Sequence, residues 1–188
     1  YEIGVRLVGS EMCIRDSFKS ESCHYKKIKS PTELAGNILR TTNEFTEPNI
    51  HITEYNSQVG FMGQTLLNPP SVEGWHQGTE WIETGSLTER VNFASQQLGD
   101  ISKPGIKKII ENIINNAGES ISAKLCVDKC LEQLGEIETS QHTYKILVEF
   151  AQNNGISEIN LVKDKKYATK KISELMSVIG SVPEFQQS

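Results

Sequence analysis

Two adjacent prolines, Pro69 and Pro70, interrupt a chain that otherwise reads as helices. A proline drives the residue before it out of the α region and lacks a backbone donor of its own. No regular helix runs through such a pair, so the residues on either side must form separate elements. The surrounding stretch, residues 63–94, reads GQTLLNPPSVEGWHQGTEWIETGSLTERVNFA. It holds both tryptophans and four glycines, Gly63, Gly74, Gly78 and Gly85. The chain is therefore organised around a loop, residues 71–85, in which Glu80, Trp81 and Ile82 are extended or form a short helical turn.

Upstream, Ser30-Pro31-Thr32-Glu33 has the pattern of a capping box, with Ser30 as N-cap and Pro31 in the first helical position. Leu34, Ile38 and Leu39 then share one face, and the helix is expected to end near Thr42. Residues 41–48 are polar and read as a loop. A second helix is expected over residues 49–67, with Ile52, Tyr55, Val59, Met62 and Leu66 as its apolar stripe, stopped by Pro69-Pro70. Gly60 and Gly63 either weaken it, by roughly 1 kcal/mol each relative to Ala, or permit close packing. Ser86-Leu87-Thr88-Glu89 repeats the capping-box pattern and predicts a third helix carrying Leu87, Val91, Ala94 and Leu98, with Gly99 as its C′ residue.

Beyond Gly99 the apolar spacing predicts four more helices. The first starts at Ser102-Lys103-Pro104, buries Ile106, Ile109, Ile110, Ile113 and Ile114, and ends at Gly118. The second carries Ala123, Val127, Cys130, Leu131 and Leu134 and closes at Gly135. The third is capped by Ser140, turns Tyr144, Leu147, Val148 and Ala151 inward, and ends at Gly155. The last carries Ala168, Ile172, Leu175, Met176 and Ile179. Helices of three or four turns with short connections imply antiparallel neighbours. The expected fold is mainly α, an irregular helical bundle with the glycine- and tryptophan-containing loop across it.

The chain is mildly acidic, with a formal net charge of −5, and no basic block points to nucleic acid. Its apolar runs are too short to span a membrane. Residues 1–17, YEIGVRLVGSEMCIRDS, resemble the translation of a transposon-type sequencing-library adapter. On that reading they are not native, and the native chain is an assembled metagenomic fragment beginning near Phe18 that lacks its own N-terminus. Cys13 belongs to the adapter-like stretch, which leaves Cys23, Cys126 and Cys130, an odd number that argues against a disulfide framework.

The run GQTLLNPPSVEGW, followed by Trp81 and by Arg90-Val91-Asn92-Phe93-Ala94, resembles the C-terminal signature of a large bacterial family, the domain of unknown function numbered eighteen hundred. Lys29-Ser30-Pro31 matches the Lys-Ser-Pro that precedes that signature. Ser181-Val182-Pro183-Glu184-Phe185-Gln186 is similar to the Ser-Pro-Glu-Phe-Gln on which family chains often finish. His76-Gln77-Gly78 departs from the usual Pro-Gly-Gly after Gly-Trp. On this basis residues 18–99 are the C-terminal segment of the family domain. Residues 100–188 are a C-terminal helical extension, or part of the same domain. The resemblance implies a mostly helical, commonly exported and hence extracytoplasmic bacterial protein, often encoded beside a sulfatase-like family. It implies no established activity.

Each candidate site residue carries two readings. Trp75 and Trp81 offer aromatic faces for a sugar or another flat ligand, or they pin the loop to the helices. Glu73, Glu80 and Glu83 lie close to them in sequence, and paired carboxylates run glycoside hydrolysis when they face each other across a cleft. Arg90 lies near a helix start, where the dipole does not favour a cation. It is expected to be a structural clamp on Glu73, Glu80 or loop carbonyls, and Asn92 to hydrogen-bond the loop backbone. Cys126 and Cys130 share a helix face. With Cys23 and His24 they would complete a tetrahedral metal set, but core packing is the reading preferred, and no metal or cofactor is expected. Two function classes follow: a non-catalytic binding or scaffold module working with a partner protein, or the C-terminal part of a hydrolase acting on glycans or their esters.

Overall fold

The computed structural model describes residues 26–118, 120–156, 159–160 and 164–187. The adapter-like residues 1–17, with Cys23 and His24, lie outside them. Helix α1 (Pro31–Thr42) starts as its sequence dictates: Ser30 Oγ accepts the Glu33 N–H at 3.3 Å, and Glu33 Oε2 accepts the Ser30 N–H at 2.8 Å. Leu34 and Ile38 are fully buried, and Asn43 closes the helix in the left-handed region.

Helix α2 (Ile52–Phe61) is shorter than its spacing suggests. Its stop is Gly63 at φ +98°, well before Pro69-Pro70. Val59 and Met62 are buried, whereas Ile52 and Leu66 are exposed, so the apolar stripe covers only the middle of the expected run. Neither Gly60 nor Gly63 makes a close approach to another element.

A short 3-10 turn, Gly78–Ile82, leads into α3 (Thr84–Gly99). This helix begins before Ser86. Leu87 N–H bonds the Glu83 carbonyl at 2.8 Å, and Ser86 Oγ donates to the carbonyls of Trp81 and Glu83 instead of capping. Gly99 is the last helical residue and not a left-handed C′ cap. A Cβ there would lie 3.0 Å from Ser177 Cβ, so its role is close approach.

Helices α4 (Pro104–Asn116), α5 (Ala123–Gln133), α6 (Gln141–Asn153) and α7 (Lys165–Ile179) follow as the apolar spacing predicts. Gly118, Gly135 and Gly155 end the first three at positive φ. Strands β1 (Ser120–Ile121) and β2 (Ile159–Asn160) pair antiparallel, Ser120 opposite Asn160 and Ile121 opposite Ile159. A second 3-10 turn, Pro183–Gln186, follows α7.

The fold is mainly helical, and α7 is its axis: α3, α4, α5 and α6 all pack on it. The α3–α7 seam is lined by small residues. Ser95 Oγ donates to the Ser177 carbonyl at 2.7 Å, and a Cβ on Gly180 would come within 3.1 Å of the Ala94 carbonyl carbon. One continuous core runs from Leu34 and Ile38 through Phe93, Leu98 and Ile110 to Ile172 and Phe185. It joins the helices before Gly99 to those after it.

Candidate functional site

The loop between α2 and α3 is held by its own polar groups and one buried ring. Gln64 Oε1 accepts from the Thr32 N–H at 2.9 Å and the Thr32 hydroxyl at 2.8 Å, which ties the loop entry to the start of α1. Trp75 is half-buried, and its Nε1 donates to the Thr65 carbonyl at 3.1 Å. Trp81 is only 5 % exposed, and the His76 ring meets it edge-on at 6.0 Å. Glu80 Oε2 accepts the Gln77 N–H at 3.1 Å and lies 3.3 Å from His76 Nδ1. The Gln77 hydrogen bond holds this exposed carboxyl below its ordinary range, with a smaller contribution from His76.

Trp75, Trp81 and Glu73 line one groove of about 690 Å³, together with Lys26, Lys27 and His76. Glu80 does not line it, and neither does Glu83; both are exposed. The indoles therefore share a groove with one of the three glutamates.

Arg90 sits elsewhere. Because α3 begins at Thr84, Arg90 lies in its second turn and points into the protein with no exposed surface. Its partners are not loop groups. Nη2 donates to the Lys29 carbonyl at 2.7 Å, and Nε donates to Gln186 Oε1 at 3.1 Å. Nη1 is buried without a partner among the described residues. Burial holds the guanidinium down at about 10, still protonated at neutral pH. Lys29 is part of the same knot. Its N–H donates to the Gln186 carbonyl at 3.0 Å, its Nζ donates to the Phe185 carbonyl at 2.9 Å, and its ammonium lies 5.2 Å from the centre of the Phe185 ring. Burial, then the Arg90 charge, lower its pKa. Ile28 and Gln187 form an antiparallel bridge beside it. Three motifs far apart in sequence thus meet at one point: Lys29-Ser30-Pro31, Arg90 and the Pro183–Gln186 turn.

Asn92 is exposed on α3 and makes no hydrogen bond to the loop. Cys126 and Cys130 are free, fully buried thiols on α5. A hydrogen bond from the Cys126 side chain, and then burial, push the Cys130 thiol well up. Among the described residues no group of three or more His, Cys, Asp or Glu is placed to hold a metal ion.

The feature that sequence reasoning missed is the outer face of the loop. Leu67 is 96 % exposed, Val72 is fully exposed and Phe61 is 65 % exposed. Leu67 also adopts φ +62°, a left-handed conformation that costs an L-residue about 1–2 kcal/mol. The proximity of Leu67 and Val72 to Pro69-Pro70 was the available signal, since a proline pair in a loop prevents neighbouring side chains from folding back into a helix stripe.

Over residues 5–187 the sequence matches the family described as Protein of unknown function (DUF1800). The chain belongs to DUF1800. The match opens inside the adapter-like stretch and runs through the Arg90 knot and the helices after Gly99, so the DUF1800 region includes both the tryptophan loop and the α7 axis. No curated protein and no solved structure matches this DUF1800 chain. Among its described residues no helix is long and apolar enough to cross a membrane.

Proposed function

We propose that this chain is a binding or scaffold module of an exported bacterial protein, working by docking a partner protein on the outer face of its proline-containing loop. One observation carries this reading: Leu67 and Val72 hold their side chains fully in solvent, and Leu67 does so from a strained backbone. Strain of this kind persists where surrounding structure enforces it, and it clusters at binding and switch regions. Exposed apolar side chains next to a rigid Pro69-Pro70 lose little freedom on docking, which favours affinity. The partner implied by the family resemblance is a sulfatase-like protein encoded nearby.

Co-elution of the chain with that purified sulfatase-like protein on size exclusion tests the reading. Leu67→Asp and Val72→Asp should each weaken the complex by about 2 kcal/mol, roughly thirtyfold in Kd, while leaving the helical signal intact. Leu67→Gly relieves the left-handed strain, so it should hold or raise stability while weakening binding. A complex indifferent to all three substitutions refutes the docking face.

A second reading, the C-terminal part of a hydrolase acting on glycans or their esters, draws on the groove shared by Trp75, Trp81 and Glu73. It requires that Glu73→Gln abolish turnover of a glycan ester while leaving its binding unchanged.

A further inference from the structure

A separate cavity of about 300 Å³ opens between α2, α3 and the connection that follows α1. It shares no lining residue with the tryptophan groove. Helical spacing builds two of its walls. Tyr55 and Gln58 are one turn apart on α2, and Phe93, Gln96 and Gln97 are one turn apart on α3. Phe45, from the connection, meets the Tyr55 ring edge-on at 5.4 Å, and Tyr55 meets Phe93 edge-on at 5.8 Å. These three rings form an apolar side, with Phe45 and Tyr55 partly open to solvent.

The two inner charges of this cavity are matched to each other. Glu44 accepts the Tyr55 hydroxyl, and Lys103 Nζ lies 2.5 Å from the same carboxylate. Glu54, exposed at the rim, lies within hydrogen-bond distance of His51 Nδ1 at 3.2 Å. Glu44 is therefore not left to select a cation, nor Lys103 an anion, and the Glu54 carboxylate at the rim disfavours an anionic ligand. The free hydrogen-bonding groups are amides. Gln58 and Gln96 are exposed and have no side-chain hydrogen bond among the described residues. The Gln97 amide lies 3.1 Å from the Tyr55 hydroxyl and keeps one end for a ligand.

An amide presents both a donor and an acceptor, which is the requirement of a hydroxyl group. A pyranose ring alternates such hydroxyls with C–H faces that pack on aromatic carbon. The volume falls at the lower end of the range for small-molecule sites, suited to one ring and not to an extended chain. We propose that this cavity binds one residue of a neutral saccharide, with Phe45 and Tyr55 against its apolar face and Gln58, Gln96 and Gln97 on its hydroxyls. This goes beyond partner docking and is independent of Leu67 and Val72.

Calorimetric titration of the full chain with cellotriose, mannotriose and triacetylchitotriose tests the assignment, with trigalacturonate as the anionic comparison. At least one neutral trisaccharide should bind saturably, and trigalacturonate should bind more weakly. Gln58→Ala and Gln96→Ala should each weaken binding roughly fivefold, the loss of one neutral hydrogen bond. Both positions are exposed, so both variants keep the fold. Lys124→Ala, at an exposed position on α5 that lines neither cavity, should leave the affinity unchanged. Three outcomes overturn the proposal: no saturable heat from any of the neutral trisaccharides, tighter binding of trigalacturonate, or binding that survives both glutamine substitutions.

Discussion

Adding one methyl group to two different helical glycines should move stability in opposite directions. Gly105 is the second residue of α4, and it lies against the end of α1. A Cβ built on it would be 2.0 Å from the Thr41 carbonyl oxygen and 2.7 Å from the Thr42 carbonyl carbon. A carbon and an oxygen in weak contact sit at about 3.3–3.6 Å, so the two helices must part by more than about 1 Å. The obstructing atoms are backbone and cannot rotate away. Thr42 is itself fully buried, with its hydroxyl donating to the Leu39 carbonyl. Overpacking of this kind costs about 1–3 kcal/mol, and a rigid neighbour puts Gly105→Ala at the upper end. Helix propensity returns up to about 1 kcal/mol. The net loss is about 2 kcal/mol, or about 4–8 °C in Tm for a chain of this size. Gly36, inside α1, has no atom within 4 Å of its would-be Cβ. Gly36→Ala should therefore gain about 0.4–1 kcal/mol. Urea titration of both variants against wild type measures the two shifts together. A Gly105→Ala midpoint at or above wild type, or shifts of the same sign, refutes the close α1–α4 contact.

Trp81→Ala removes a ring that is almost wholly buried and should lose about 3–5 kcal/mol in a denaturant titration, whereas half-buried Trp75→Ala should lose clearly less. Burial raises the Glu184 carboxyl, but hydrogen bonds from the Ser140 N–H and the Thr143 hydroxyl outweigh it and hold the group below its ordinary 4.5. A depressed carboxyl stabilises the fold above its unfolded value and loses that contribution as pH falls through its folded value. Wild type and Glu184→Gln should thus differ most near neutral pH and converge below the carboxylate range, as followed by Tm against pH. Cys126 and Cys130 should resist thiol reagents in the native protein and label only on unfolding, as read by peptide mass mapping, and metal analysis should find no stoichiometric zinc.

What was legible in the sequence was local. Ser30 and Glu33 are three residues apart, and their reciprocal hydrogen bonds depend on nothing else in the chain. The helices after Gly99 were legible because their apolar spacing and the glycines that end them agree. The end of α2 was obscured by Leu66, which continues the spacing of Met62 although Gly63 has already turned the backbone. Ser86 and Glu89 fit a capping box by type. The preceding 3-10 turn delivers a helical chain before Ser86 is reached, and its hydroxyl bonds back to Trp81 and Glu83 instead. Arg90 could not be placed from sequence, because its partners lie 61 and 96 positions away and no periodicity extends that far. The cavity beside Tyr55 was hidden for the same reason. Its residues come from three elements, and each reads alone as an ordinary helix or loop surface.

The knot at Lys29 also bears on the order of folding. Lys29 and Phe185 are 156 positions apart, so their contact closes almost the whole described chain into a loop. The length-dependent part of that closure entropy is about 4–5 kcal/mol. Helices form from neighbouring residues, and the α3–α7 seam shortens the remaining search, so the two segments gain their contacts late, after most of the core is in place. Contacts absent from the transition state govern how fast the native state is lost, not how fast it is reached. Loosening Gln186 or Arg90 should accordingly raise the unfolding limb of a chevron plot at unchanged slope and leave refolding nearly untouched. That makes this small polar junction a latch on the lifetime of the folded protein.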